Sequence, residues 1–407
     1  MLGYARVVTQ PMDIHAIPAT LKTSASLKSN HRFPNRTLWL IFSGIAVLLM
    51  LGGYFLRYDL RSYSLLIRFL NPSATSLLLR WETRPVKTQE IELPIMNGYV
   101  RARLYLPGGA AHPPGMVLIH GIHHLGIDEP RLVSFALAAA GNGFAVLTPE
   151  VAALADYTVD GSSIATIGES PAWLQQRLGT GPVSVVAVSF AGGLSLMAAS
   201  DSRYASHIRA LLLMGAYDDL GRVSRFLASS QAELPDGRSE PYAALDYGAA
   251  VFVYSHLNQF FSASDSGVAR EALRDWLWER PEDSKALLSH LSPAGQETMN
   301  ILLARQIDRL RPKLLEAIDA DKSQLAAISP QGKLGNLRAP VFILHGLTDD
   351  VIPSTESLWL EKEIPRPYLK EVLITPAFSH VDPDKSATWR DTVRLVSFMA
   401  DFLRVSD

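Results

Sequence analysis

Hydrophobic and polar positions divide the chain into three regimes. Residues 1–36 mix polar side chains with Pro11, Pro18 and Pro34 and show no period, the composition of a disordered tail. Residues 37–56 (TLWLIFSGIAVLLMLGGYFL) then run for 20 residues without a charge. As a helix this run is about 30 Å long, the thickness of a hydrocarbon core. Arg36 and Arg57 bracket it, and Trp39, Tyr54 and Phe55 stand near its ends, where interfacial anchors sit. A buried core helix would show a polar face, and a signal peptide carries a shorter apolar stretch of roughly 7–15 residues. The pattern therefore predicts one transmembrane helix at 37–56, followed by a linker at 57–85.

From Val86 onward the period changes. Residues 86–94 and 99–106 alternate as two strands of a hairpin, with Asn97-Gly98 as the turn. Continuous apolar runs of buried-strand type follow at 116–120 (MVLIH), 144–148 (FAVLT), 183–188 (VSVVAV), 210–214 (ALLLM), 341–344 (VFIL) and 371–374 (EVLI). Helical patterns separate them. Residues 128–140 carry Asp128 as cap, Pro130 in the first turn and Leu132, Phe135, Ala136 and Ala139 on one face. A helix at 163–177 contains Pro171, a breaking or bending residue. A small-residue helix occupies 191–199. The last helix, 388–403, places Trp389, Val393, Val396, Met399 and Leu403 on one side. Buried strands alternating with helices predict an α/β fold, a mostly parallel central sheet with helices on both faces.

One block interrupts the alternation. Residues 220–337 read as helical, most clearly at 269–278 and 298–318, and fall between two strands of the sheet. An insertion of this size is a helical cap, since structureless loops of that length are rare in compact domains. The expected organisation is a tail at 1–36, a transmembrane helix at 37–56, a linker at 57–85 and a catalytic domain at 86–407 with its cap at about 220–337.

Composition narrows the chemistry. Lys plus Arg is 38 against 40 Asp plus Glu, a net charge of −2, which gives no electrostatic reason for a nucleic-acid partner. The chain has no cysteine, which removes thiol nucleophiles and thiolate metal sites. No metal-ligand spacing such as H-E-x-x-H occurs, and Gly192-Gly193 lacks the Lys of a phosphate loop. Neither a metal nor a cofactor is expected. Lys22, Lys28, Arg32 and Arg36 precede the apolar run, whereas Arg57, Arg61 and Arg68 follow it. The positive-inside bias favours an extracytoplasmic catalytic domain.

Candidate chemistry stands at strand ends. Ser189, in Ala187-Val188-Ser189-Phe190-Ala191, joins the VSVVAV strand to the small-residue helix, the context of a nucleophile elbow. The local sequence suits a helix N-cap serine equally well. His120-Gly121-Ile122-His123 follows the MVLIH strand. Asp349 and Asp350 follow VFIL, three and four residues beyond Gly346, and His380 follows EVLI. Asp218 and Asp219, after ALLLM, are alternative acids. His123 and His124 adjoin the His-Gly loop, and Trp276 and Trp278 either line an acyl pocket or pack a cap helix onto the body.

At these residues the chain resembles the α/β-hydrolase family, over about 86–407. The order serine, acid, histidine is the family's order. The resemblance implies Ser189 as nucleophile, Asp349 as orienting acid, His380 as general base, and the Ile122 and Phe190 amides as the oxyanion hole. The departures are Ala187 and Ala191 where the elbow usually has glycine, and Ala377 where a glycine often precedes the histidine segment. The expected activity is serine hydrolysis of a carboxylic ester of a small, lipophilic molecule, on a membrane-anchored enzyme. A serine peptidase or amidase on the same fold is the alternative bond, and a silent binding domain is the alternative class, one that would have no use for such a trio.

Overall fold

The computed structural model describes residues 35–76, 79, 83–96, 98–377 and 388–407, with only the backbone described at 35–38, 47–51 and 54–55. The chain divides into two units, Met1–Phe55 and Leu56–Asp407. Helix α1 (Asn35–Leu70) begins in the first and ends in the second. Among the described residues no helix is long and apolar enough to cross a membrane, so the span expected at 37–56 finds no support here. The helix also continues through 57–70, which the sequence pattern assigned to a linker. The reason is a change of period after Leu56: Tyr58, Ser62, Leu65 and Leu66 are buried on one face, with Leu60 and Tyr63 exposed on the other.

Eight strands form the central sheet: β1 (Val86–Ile95), β2 (Gly98–Pro107), β3 (Gly115–Ile119), β4 (Ala145–Pro149), β5 (Val183–Val188), β6 (Ile208–Met214), β9 (Val341–Gly346) and β10 (Leu369–Thr375). Two short strands, β7 (Gln231–Glu233) and β8 (Ser239–Pro241), pair separately. The order across the sheet is β1-β2-β4-β3-β5-β6-β9-β10. β1, β2 and β4 pair antiparallel, and β4 through β10 run parallel. Ile95 pairs with Gly98, which closes the β1–β2 hairpin; Asn97, the expected turn residue, lies outside the described residues.

The apolar strands are buried on both faces. Val117, Ile119, Val185, Ala187, Leu211 and Leu213 point into one core layer, while Met116, Leu118, Val186, Ala210 and Leu212 point into the other. This period of two is why each run reads as continuously hydrophobic in a parallel sheet.

The helices correct several local expectations. Helix α2 (Pro130–Gly141) is capped by Glu129, which accepts the Leu132 N–H at 2.8 Å. Asp128, the expected cap, instead faces Arg101 and Arg103 on β2. Helix α3 (Ser162–Leu178) runs through Pro171 without ending. Pro171 has no N–H to offer the preceding turn. Beside it the Ser170 hydroxyl donates to the Thr166 carbonyl at 2.6 Å, so that turn keeps a local bond. Helix α4 (Phe190–Ser200) leaves β5 directly.

The insertion contains α5 (Leu220–Ser229), α6 (Asp246–Ser255), α7 (Ser266–Leu277), α8 (Pro293–Leu303) and α9 (Arg311–Ala320). The single helix expected at 298–318 is thus two, α8 and α9. Arg305 breaks it with φ 56°, and Pro312 suits the first turn of the second piece. After β9 come α10 (Thr355–Glu363) and α11 (Trp389–Ser406). The buried face of α11 is Leu395, Phe398, Met399, Phe402 and Leu403; Trp389 and Val393, expected on it, are exposed. Both lie in the first turn and a half, which is exposed except at the half-buried Asp391.

Candidate active site

β5 ends at Val188 and α4 begins at Phe190, so one residue makes the strand-to-helix turn. That residue is Ser189, with φ 58° and ψ −133°. A non-glycine residue in such a region costs about 1–3 kcal/mol and persists only where its surroundings dictate it. Here the Ser189 N–H donates to the Met214 carbonyl at 2.7 Å, and the Gly192 N–H donates to the Ser189 carbonyl at 2.9 Å. Ser189 holds the N-cap position of α4, yet its side chain makes no capping hydrogen bond, unlike an ordinary cap serine.

Small residues around the turn have a packing cause. A Cβ on Gly192 would lie 2.5 Å from the Ala216 Cβ, and one on Gly193 would lie 2.5 Å from the Tyr217 ring. Ala187 and Ala191, the departures from glycine, are fully buried, so the turn accommodates a methyl group at both places. Across the turn, a Cβ on Gly121 would stand 3.0 Å from the Ser189 Cβ. Glycine at 121 is what lets the loop after β3 approach the serine.

His120 holds that loop. It is buried, and its Nε2 accepts the Val151 N–H at 2.9 Å. The proton is therefore on Nδ1, which donates to the Gly121 carbonyl at 2.7 Å. Burial lowers its pKa from 6.5 to about 4, the carbonyl acting weakly in the opposite direction, so the ring is neutral. In a trans peptide the Ile122 N–H points opposite to the Gly121 carbonyl, so fixing one fixes the other. The Phe190 N–H belongs to the first turn of α4, whose donors have no intrahelical acceptor.

Asp349 stands three residues beyond β9. Asp349 is fully buried, and its Oδ1 accepts the Val351 and Ile352 N–H groups at 2.9 Å each. Its Oδ2 lies 3.4 Å from His345 Nε2. Asp350 is half-buried, and its carbonyl accepts the Leu245 N–H of the insertion. Asp218 is engaged elsewhere. It pairs with Arg222 at 3.0 Å, and Arg222 also binds the fully buried Glu356 at 2.6 Å. Burial, then the Glu356 charge, raises the Asp218 carboxyl to about 7. Trp359 lies over the Arg222 guanidinium at 4.1 Å. Sequence reasoning missed this network, because Glu356 is 134 positions from Arg222 and no local pattern links them.

His380 lies outside the described residues. Its strand does not: β10 ends at Thr375 and pairs in parallel with β9, which is separated from β5 by β6 alone. Parallel strands place the residues after β3, β5, β9 and β10 at the same edge of the sheet.

Ser189 opens on a cavity of about 90 Å³ that also touches Gly121, Ile122, Met214, Phe135 and Phe69 of α1. His123 lines it as well, whereas His124 turns to the insertion, stacking on Trp278 at 5.8 Å with its Nδ1 3.2 Å from the Tyr157 hydroxyl. Trp276 packs beside Tyr247. Among the described residues no group of His, Asp or Glu is arranged to hold a metal ion.

A family model described as the alpha/beta hydrolase fold matches residues 116–384 of the 407. Solved structures with a similar chain path include 2-hydroxy-6-oxo-6-phenylhexa-2,4-dienoate hydrolase from Rhodococcus sp. strain RHA1, 16% identical, covering 71% of this chain and 91% of its own, TM-score 0.38. A putative lipase from Acinetobacter baumannii AYE is 14% identical, covering 78% and 92%, TM-score 0.42. The acylaminoacyl peptidase of Pyrococcus horikoshii is 10% identical, covering 80% of this chain but 43% of its own, TM-score 0.45. No curated protein matches the sequence.

Proposed function

Because this chain belongs to the alpha/beta hydrolase fold family, we propose that it is a serine hydrolase that cleaves a carboxylic ester through an acyl-enzyme on Ser189. The observation that carries the reading is the backbone of Ser189, a buried serine at a one-residue strand-to-helix turn with φ 58°. That conformation is the one a nucleophile elbow needs to present a hydroxyl at the sheet edge. In this reading Asp349, three residues beyond β9, and His380, five positions after β10 in the sequence, complete the trio.

The chemistry follows from these roles. His380 takes the proton of Ser189 Oγ as the oxygen attacks the ester carbonyl. The tetrahedral oxyanion is held by the Ile122 and Phe190 amides, donors fixed before reaction and therefore free of reorganisation cost. The C–O bond to the alcohol breaks, and His380 returns the proton to the departing oxygen. Water then adds to the acyl-enzyme by the same route, and the carboxylic acid leaves. Asp349 orients the imidazole and balances its positive charge.

Labelling with a fluorophosphonate probe tests the reading, with Ser189→Ala as control. The wild type is expected to label and the variant not. Absence of label on correctly folded wild type would overturn the hydrolase reading; label without turnover of any p-nitrophenyl ester would overturn the choice of ester.

We also propose a membrane anchor at residues 37–56. It rests on the 20-residue uncharged run and on Trp39, Leu40 and Phe42, which are each more than 60% exposed.

A further inference from the structure

A second cavity lies beside the first, in the insertion. Its volume is about 80 Å³, and Ile122, Phe190, Leu227, Val251, Phe252 and Leu325 are among the apolar residues of its wall. Ile122 lines both cavities, and Ile122 and Phe190 are the residues whose amides the proposed function assigns to the oxyanion. Val351, two residues beyond Asp349, also lines it. A carbonyl held at those amides therefore has this chamber as neighbour.

The chamber offers a guest almost nothing polar. Four polar side chains reach its wall, and Ser224, Ser255 and His256 spend their hydrogen-bonding groups within the protein. The Ser224 hydroxyl donates to the Leu220 carbonyl at 2.8 Å. Ser255 donates to the Val251 and Tyr157 carbonyls at 3.2 and 3.3 Å. His256 turns its two ring nitrogens to the Phe252 carbonyl, 2.8 Å away, and the Asp321 carboxylate, 2.9 Å away. Tyr247 turns its ring to Tyr157, with 6.0 Å between the centroids. A polar guest would lose its water and find no partner, an unfavourable exchange. An apolar guest loses nothing there.

Size then decides among apolar guests. A protein cavity of about 150 Å³ accepts a benzene ring. This one has about 80 Å³, about half of that, which suits a short aliphatic chain better than an aromatic ring. We propose that the chamber of the insertion is the acyl subsite and that it takes a short, unbranched aliphatic acyl group of about four carbons. The proposal rests on the ester reading of Ser189 and names its substrate class.

The test is the kcat/KM profile of the full-length protein on p-nitrophenyl acetate, butyrate, octanoate and benzoate, compared with two variants. The wild type should peak at butyrate, at least about tenfold above octanoate and benzoate, a discrimination that one or two methylenes can supply. Val251→Trp fills the chamber and should lower the butyrate-to-acetate ratio about tenfold. Leu227→Ala enlarges it and should raise the octanoate-to-butyrate ratio by a similar factor. If esters are turned over but both variants keep the wild-type profile, or the wild type prefers benzoate or octanoate, the chamber is not the acyl subsite while the ester reading stands. If no ester is turned over, the ester reading falls and this subsite with it, a result that fluorophosphonate labelling of Ser189 separates from loss of the nucleophile.

Discussion

In the proposed mechanism His120 is a residue outside the reaction that positions one of its donors. Its neutral tautomer is set by the Val151 N–H, and through the Gly121 carbonyl it sets the peptide that carries the Ile122 donor. The same burial makes it a source of pH-dependent stability. The unfolded imidazole takes a proton below 6.5, the folded one only at about 4. Between those values the unfolded state holds more protons, so stability falls as pH falls through this window. The contribution lost between pH 7.5 and 4.5 is about 2–3 kcal/mol. Asp218 has the opposite slope: its folded carboxyl keeps a proton up to about 7 against an ordinary 3.8, so its contribution falls as pH rises. The two oppose each other in the wild type, and the difference between proteins isolates His120. Urea denaturation at pH 4.5 and 7.5 should show His120→Gln less destabilised by acid than the wild type. Equal acid destabilisation in both would refute a buried neutral imidazole. At pH 7.5 the variant's kcat should fall by up to about 10²-fold, the cost of one misplaced oxyanion donor.

At the scale of elements, α4 is the part that aims Ser189. It lies close against the chain after β6 because Gly192 and Gly193 leave room for Ala216 and Tyr217. Gly192→Ala puts a methyl group 2.5 Å from the Ala216 Cβ and 3.1 Å from its backbone Cα, so the first turn of the helix must lift. Overpacking of this kind costs about 1–3 kcal/mol. Because Ser189 lies three residues away on the same turn, kcat is expected to fall about 10²-fold, as for other small misplacements of catalytic groups. Denaturation and kcat measured together check it; a loss of stability with unchanged kcat would mean that α4 does not aim the serine. Elements also mark how far sequence can be read. The strands were legible because both faces are buried, which leaves continuous apolar runs. The α8–α9 break was not, because the apolar period continues across Arg305 and Pro312 while the backbone turns.

For the whole molecule the prediction concerns the N-terminal unit. The uncharged run predicts that membranes retain the protein through residues 37–56. In a cell fractionation the full-length chain should pellet with membranes after a high-salt wash and dissolve in detergent. The same experiment on a chain beginning at Leu56 keeps the second unit whole and should move the protein to the supernatant. Full-length protein in the supernatant would remove the anchor, and the Ser189 chemistry would be untouched by that result.

The sequence by itself determined the class of fold and the order of the candidate site residues along it. Buried parallel strands must be apolar throughout, and the candidate site residues stand just beyond them, so both are written along the chain. It placed Ser189, Ile122, Phe190 and Asp349 at strand ends, where the structure has them, and His380 beyond a strand that pairs beside β9. Only the tertiary structure decided the conformation of Ser189, the tautomer of His120, the commitment of Asp218 to Arg222, and the walls of the second chamber. Each depends on partners distant in the chain, such as Met214 for Ser189, Val151 for His120 and Glu356 for Arg222. Periodicity records which face of an element is buried; it does not record what lies against it.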